Sequence, residues 1–312
     1  MAQRISKLGI KNWKPDRLPN LKGKNYLITG GNSGIGYEAA KMLGSEGANI
    51  IIACRNTKKG QTALRKLAKY VKGDLSLIKL DLADLNSVRE AAKEVKKRYK
   101  SLDGLINNAG IMQTPELKTA DGFEMQLGTN HLGHFLLSGL LFDLVEKAEG
   151  RIVTVSSLAH KFGKIHFDDL MLTENYDPTT AYCQSKLANL MFSLELDRRL
   201  KAKNSPVKAI ACHPGYSNTA LQSTGPEGAW KLLYKFTNLT MAQSARAGAI
   251  PTVLAAAGKE AQAGAYYGPR TMSESRGRVS DATVIGRALS EESAKRLWAE
   301  SEKLVGFEWE KI

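Results

Sequence analysis

Residues 29–40 read TGGNSGIGYEAA, which spaces Gly30, Gly34 and Gly36 as G-x-x-x-G-x-G. The reading of the whole chain turns on whether these glycines hold a phosphate or only turn a corner. Before them, NYLIT (residues 25–29) is a short apolar run of β-type residues. After them a helix is expected from near Ile35 through YEAAKMLGSEG, with Gly47 near its C-terminus. A glycine cluster set between a strand and a helix is the context in which the pattern carries information, whereas alone it would serve equally as a turn.

The same unit recurs outward from there. ANIIIA (48–53) is apolar without alternation, as a strand covered on both faces requires. A helix over about 58–70 leads to LSLIKL, one over 87–99 to GLIN, and a long one around 122–145 to RIVTVSS. Beyond Tyr182 a helix runs to about Lys201 and VKAIACH follows. Strands alternating with helices predict an α/β fold: a Rossmann-type, doubly wound parallel sheet of about seven strands, helices on both faces, in one domain. Ligands of such sheets sit beyond the strand C-termini. Residues 1–20 read as a basic extension and 21–312 as the catalytic domain, with a C-terminal helix near 290–305.

In that frame each glycine has a task. Gly30 makes the tight turn, Gly34 lets the main chain approach a pyrophosphate, and Gly36 admits close helix packing. The loop residues Asn32, Ser33 and Ile35 lie with them at a helix N-terminus, whose free N–H groups and positive dipole end suit phosphate. The second strand ends in Ala53-Cys54-Arg55-Asn56. A carboxylate there would bind a ribose 2′-hydroxyl, whereas an Arg accommodates a 2′-phosphate, so NADP(H) is favoured over NAD(H).

Composition narrows the setting. The 312 residues carry 45 Lys and Arg against 31 Asp and Glu, a formal charge of +14, with seven cations before the first strand opposed only by Asp16. A solvated arm is favoured over membrane-surface or polyanion contact, and no nucleic-acid motif accompanies the charge. Three cysteines without C-x-x-C spacing fit a reducing, cytoplasmic setting. The apolar stretches fall short of the roughly 20 residues of a membrane span. His131 and His134 are three apart but lack the further ligands of a zinc site, so no metal is expected.

Tyr182 and Lys186 are four apart, which puts both on one face of a helix. A phenol with an ordinary pKa near 10 is a poor acid or base at neutral pH, and a neighbouring ammonium pulls it toward the working range. Ser157 closes RIVTVSS, where its hydroxyl can bond a substrate oxygen and stabilise charge developing there; Ser156 competes for that role.

The set TGGNSGIG, Asp81-Leu82, Asn107-Asn108-Ala109-Gly110, Ser157, Tyr182-Cys-Gln-Ser-Lys186 and His213-Pro214-Gly215 with Thr219 resembles the short-chain dehydrogenase/reductases over nearly the whole chain from Leu21. NHLGHFLL, VSSLAH, AYCQSKLANLMF and LWAESEKLVG look like the retinol dehydrogenase type branch. The resemblance implies that Asp81 and Leu82 meet the adenine and that the stretch from Asn107 through Asn108, Ala109 and Gly110 lines the path beside the adenosine ribose. It likewise puts Pro214, Gly215 and Thr219 at the carboxamide end of the nicotinamide. It makes Tyr182 the proton donor and acceptor, has Lys186 hold the nicotinamide ribose, picks Ser157 over Ser156, and has Asn130 hold a relay water.

Residues between Ser157 and Tyr182 outnumber those of shorter relatives, so about 161–180 must loop out and return. The segment near 216–240 is expected to form an apolar lid, and core packing or a subunit contact fits its aromatics as well. The implied activity is hydride exchange between a nicotinamide and an apolar carbonyl or alcohol. Reduction of a conjugated C=C bond and non-catalytic NADP(H) sensing are the alternatives. A homodimer or homotetramer through the two long helices is the implied assembly.

Overall fold

Strand β2 (Asn25–Thr29) shows why the first unit forms as read: Tyr26, Leu27, Ile28 and Thr29 are all buried, because helices cover both faces of the sheet. In the computed structural model, which describes residues 3–6, 9–216 and 243–309, β2 pairs in parallel with β3 (Asn49–Cys54) and with β5 (Gly104–Asn107). With β4 (Leu75–Lys79), β6 (Arg151–Val155), β7 (Lys208–Cys212), β8 (Tyr266–Thr271) and β9 (Arg276–Asp281) the order is β4-β3-β2-β5-β6-β7-β8-β9. The chain winds outward from β2 to β4, returns to the other side of β2 at β5, and continues. The reversal opens a crevice at the C-terminal ends of β2 and β5.

The crossover helices are α1 (Gly34–Ser45), α2 (Thr57–Leu67) and α3 (Leu85–Arg98). Their starts follow local chemistry. Asn56 caps α2 by accepting from the Lys59 N–H at 2.9 Å, and Asp84 caps α3 through the N–H groups of Asn86 and Ser87. One apolar cluster lies under α1 and α8 (Ala245–Ala257), and a second lies under α3, α7 (Pro178–Ala202) and α9 (Glu291–Val305).

Four expectations are corrected. The main sheet has eight strands, and the added edge strand β9 runs antiparallel to β8. The single helix expected over 122–145 is broken into α4 (Met125–Leu127), a π-helical turn over Gly128–Leu132, α5 (Gly133–Leu140) and α6 (Phe142–Lys147). The helix expected after Tyr182 starts at Pro178, with Asp177 accepting from the Thr180 N–H, so Tyr182 lies within it. Nor is the N-terminal extension a solvated arm: β1 (Gln3–Arg4) pairs with β10 (Thr283–Val284), Trp13 is 1% exposed, and its indole donates to Glu260 at 3.0 Å. Burying an indole outweighs solvating a few lysines.

The insert does loop out and return. A 3-10 turn over Leu158–Phe162 follows β6, and Gln184 of α7 pins the excursion by accepting from the His166 N–H and donating to the Leu170 carbonyl. Residues 217–242 are outside the described set, and with them Thr219 and nearly all of the expected lid.

Candidate active site

One cleft at the crevice of β2 and β5 gathers most of the expected residues. Its first wall is Gly30, Asn32, Ser33, Gly34, Ile35 and Gly36 from the turn into α1. Gly30 and Gly34 adopt φ of +66° and +55°, the left-handed region that glycine enters without cost. Gly36 is helical, and its constraint is space: a Cβ there would sit 2.5 Å from Asn108 Nδ2 and 2.7 Å from the Gly30 carbonyl oxygen. The turn is stapled to the end of β5. Asn108 donates its amide to the Thr29 carbonyl at 2.8 Å, and the N–H groups of Asn108 and Ala109 both donate to Thr29 Oγ1 at 2.9 Å. Asn108, Ala109 and Gly110 line the cleft, whereas Asn107 does not: it is buried and donates to Ser138 of α5 at 2.8 Å.

Arg55, Asn56, Asp81 and Leu82 stand apart from this wall, just beyond β3 and β4. Arg55 is 76% exposed and 4.0 Å from Asp81, and both border a separate shallow depression. Asp81 closes its own turn by accepting from the Ala83 N–H, and Leu82 is buried in the core. Asn56 spends its side chain on the α2 cap.

The second wall is the reaction end. Tyr182 and Lys186 of α7, Ser156 and Ser157 after β6, and Pro214 and Gly215 after β7 all face the cleft. Lys186 Nζ lies 5.8 Å from the centre of the Tyr182 ring and donates to the Val155 carbonyl at 3.3 Å. Lys186 is 3% exposed, and burial pulls its ammonium down to about 8. A Cβ on Gly110 would come within 3.3 Å of Lys186 Nζ and 3.1 Å of Asn130 Oδ1, so a side chain there would crowd both groups.

The two serines divide their work. Ser156 is buried and donates to the Lys186 carbonyl at 2.7 Å, whereas Ser157, N-cap of the 3-10 turn and less buried, accepts from the Ala159 N–H at 3.2 Å. Asn130 sits in the π-helical turn, the kind of interruption that recurs at functional sites. Its Oδ1 accepts from the Ile111 N–H at 2.8 Å, and its Nδ2 donates to the Ile111 carbonyl and to Ser185 Oγ.

Several participants escaped sequence reading. Thr29 and His134 touch at 2.9 Å beneath the glycine turn, and His134 also contacts the Asn130 carbonyl. Ser185 braces Asn130 from a position 55 residues away. Met112, Leu158 and Phe162 add apolar lining to the cleft, with Phe162 79% exposed. Phe162 lies in the insert, where its presence beside Ser157 was the available signal. Burial raises Cys183 to about 11, in keeping with a packing role.

No helix among the described residues is long and apolar enough to cross a membrane.

Known proteins match this frame over nearly its full length. The family model for short chain dehydrogenases covers residues 24–229. Human retinol dehydrogenase 13 is 41% identical over 303 residues, spanning 92% of this chain and 86% of its own. Human retinol dehydrogenase 12 is 41% identical over 296 residues, spanning 93% and 89%. A crystal structure of an uncharacterised protein from Mycobacterium Paratuberculosis superposes with a TM-score of 0.80 at 40% identity, covering 96% of this chain and 99% of that one. A short chain dehydrogenase from Burkholderia cenocepacia J2315 in complex with NADP shares the fold, with a TM-score of 0.62 at 24% identity over 79% of this chain and 96% of that one. The chain belongs to the short-chain dehydrogenase/reductase family, on the retinol dehydrogenase side of it, and is an oxidoreductase of the alcohol and carbonyl pair.

Proposed function

We propose that the chain is an NADP(H)-dependent oxidoreductase that interconverts an apolar carbonyl compound and its alcohol. The observation that carries this reading is the company Lys186 keeps: a buried ammonium 5.8 Å from the Tyr182 ring, on the wall of the same cleft as the glycine turn.

The first wall fits a dinucleotide. Left-handed Gly30 and Gly34 keep the main chain bare, the space above Gly36 is already taken, and the N-terminus of α1 opens into the cleft. Gly30 to Gly36 would hold the pyrophosphate, Asn108 to Gly110 would line the adenosine side, and Pro214 and Gly215 would flank the nicotinamide. Arg55 favours the 2′-phosphate form, because its exposed guanidinium stands just past β3, whose own end carries no carboxylate for a ribose hydroxyl, with Asp81 of the next strand end 4.0 Å away. Bound there, the dinucleotide supplies or accepts the hydride.

The chain's own residues handle the proton and the oxygen. Tyr182 gives its phenolic proton to the carbonyl oxygen in reduction and takes the hydroxyl proton in oxidation. The Lys186 ammonium favours the phenolate and so brings the phenol toward neutral pH. Ser157 donates to the substrate oxygen as negative charge grows on it. Asn130 braces Ile111 close to Lys186, from where it would hold a relay water. Met112, Leu158 and Phe162 receive the apolar body of the substrate, which argues for a hydrophobic carbonyl compound over a polar one.

The test is oxidation of NADPH and of NADH against apolar aldehydes, ketones and enones. Turnover of aldehydes or ketones with NADPH ahead of NADH is the expected result. Activity confined to enones would move the reaction to C=C reduction, and tight NADPH binding with no turnover on any substrate would make the chain a sensor.

A further inference from the structure

We infer that Glu274, at the tip of the β8–β9 hairpin, is a positioning residue that ties the two rims of the active-site mouth together. The inference rests on the oxidoreductase reading above for its kinetic consequence and on geometry for the rest.

Met272, Ser273 and Glu274 adopt φ of 49°, 54° and 68° in succession. Three consecutive non-glycine residues in the left-handed region are costly and persist only where surrounding contacts dictate them. The contacts converge on the Glu274 carboxylate, which is 7% exposed. Oε1 accepts from the Thr283 N–H at 2.8 Å and from Thr283 Oγ1 at 2.6 Å, and Oε2 accepts from Lys161 Nζ at 2.9 Å. Burial would raise this carboxyl, but the bonds from Lys161 and Thr283 prevail and hold it below its ordinary value, so the group is a carboxylate.

The carboxylate holds one rim directly, and the hairpin that carries it holds the other. Lys161 belongs to the 3-10 turn that Ser157 caps, and His160 of the same turn donates Nδ1–H to the Ser157 carbonyl at 2.7 Å. On the other rim His213 precedes Pro214 and Gly215. Its Nδ1 accepts from the Gly215 N–H at 3.2 Å, so in the neutral ring the proton sits on Nε2, which faces Glu274 Oε2 at 3.8 Å. Burial pulls this imidazole down to about 3, so the neutral ring packs beside the carboxylate with neither an ion pair nor a hydrogen bond between them. Tyr216 N–H donates to the Ser275 carbonyl at 2.7 Å, fastening the same loop to the hairpin. The fully buried Tyr266 ring fills the space between, 5.4 Å from His160 and 5.2 Å from His213. The hairpin tip is therefore the anchor that both rims share: Glu274 bonds Lys161 of the serine turn, and the neighbouring Ser275 carbonyl bonds Tyr216 of the loop after β7.

The experiment compares the full chain with Glu274→Gln, Lys161→Met and the double variant. Glutamine keeps the Thr283 acceptor and turns an amide toward Lys161. Amide hydrogen exchange, read without turnover, should rise about tenfold together in peptides 158–163 and 213–216 of Glu274→Gln, with residues 34–45 unchanged. With NADPH and a carbonyl substrate, kcat should fall about tenfold while NADPH affinity stays within about twofold, the double variant being no worse than the poorer single one. Faster exchange confined to 271–284, or kcat losses that multiply in the double variant, would overturn the assignment. A wild-type chain inactive on every carbonyl would sink the oxidoreductase reading and leave the paired exchange measurement to decide this one.

Discussion

The two walls of the cleft are made of different materials. The wall from Gly30 to Gly36 is main chain, and its side chains matter by being absent: Gly36 has no room for a methyl group, and Thr29 contributes from below by accepting two N–H groups. The wall of Ser157, Tyr182 and Lys186 is side chain, with Asn130 buried behind it, and buried bonds place Asn130 against Ser185 and Lys186 against Val155. One region is intolerant of volume and the other of chemistry. A site can therefore be damaged at one end with the fold and cofactor affinity intact, and at the other by adding a single carbon.

The contrast is sharpest at Tyr182. Tyr182→Phe keeps the ring and removes the proton, so kcat should fall by roughly 10²- to 10⁴-fold with NADPH binding unchanged in a fluorescence titration. Retained turnover would show that the side-chain wall is not where the proton moves.

Lys186→Met divides catalysis from stability. Turnover should drop about a hundredfold or more. Stability should move the other way, because the folded chain lowers this ammonium from 10.5 to about 8 and the unfolded chain holds the extra proton between those values. The penalty is full below about pH 8 and fades as pH rises to 10.5. At pH 7 the methionine variant should thus gain stability, up to the order of 3 kcal/mol less the lost bond to Val155. Denaturation midpoints at pH 7 and pH 10 check the sign, and a variant weaker at both would refute it.

On the other wall, Gly36→Ala should raise the NADPH dissociation constant about tenfold by pushing Asn108 and the Gly30 carbonyl out of place, while kcat at saturation changes little. A kcat loss equal to that of Tyr182→Phe would erase the division between the walls. The smallest effect belongs to Arg55→Ala. Loss of an exposed, charge-assisted contact should weaken NADPH by about fivefold and leave NADH unchanged, and equal losses for both cofactors would deny it a role at the 2′-phosphate.

Legibility followed the same divide. NYLIT and GLIN could be read to the residue because strands buried on both faces must be continuously apolar. The glycine turn was legible because its steric demand is local. YYGPRT of β8 carries Gly268 and Pro269, which disfavour a strand, and it takes that form between β7 and β9. The expected helix over 122–145 hid its break, since nothing local announces that Asn130 must reach Ile111 and Ser185. Trp13, surrounded by cations in sequence, looked solvated until β9 and Glu260 gave it a place.

The sequence by itself determined the winding of the sheet, the glycine turn and the pairing of Tyr182 with Lys186, because each depends on residues within a few positions of one another. Only the tertiary structure decided that Ser156 spends its hydroxyl on the Lys186 carbonyl, that Asn107 faces away while Asn108 faces in, and that Lys186 is buried enough to lose much of its basicity. Those outcomes are set by partners 30 to 80 residues away and by the exclusion of water, and neither is written in any local pattern.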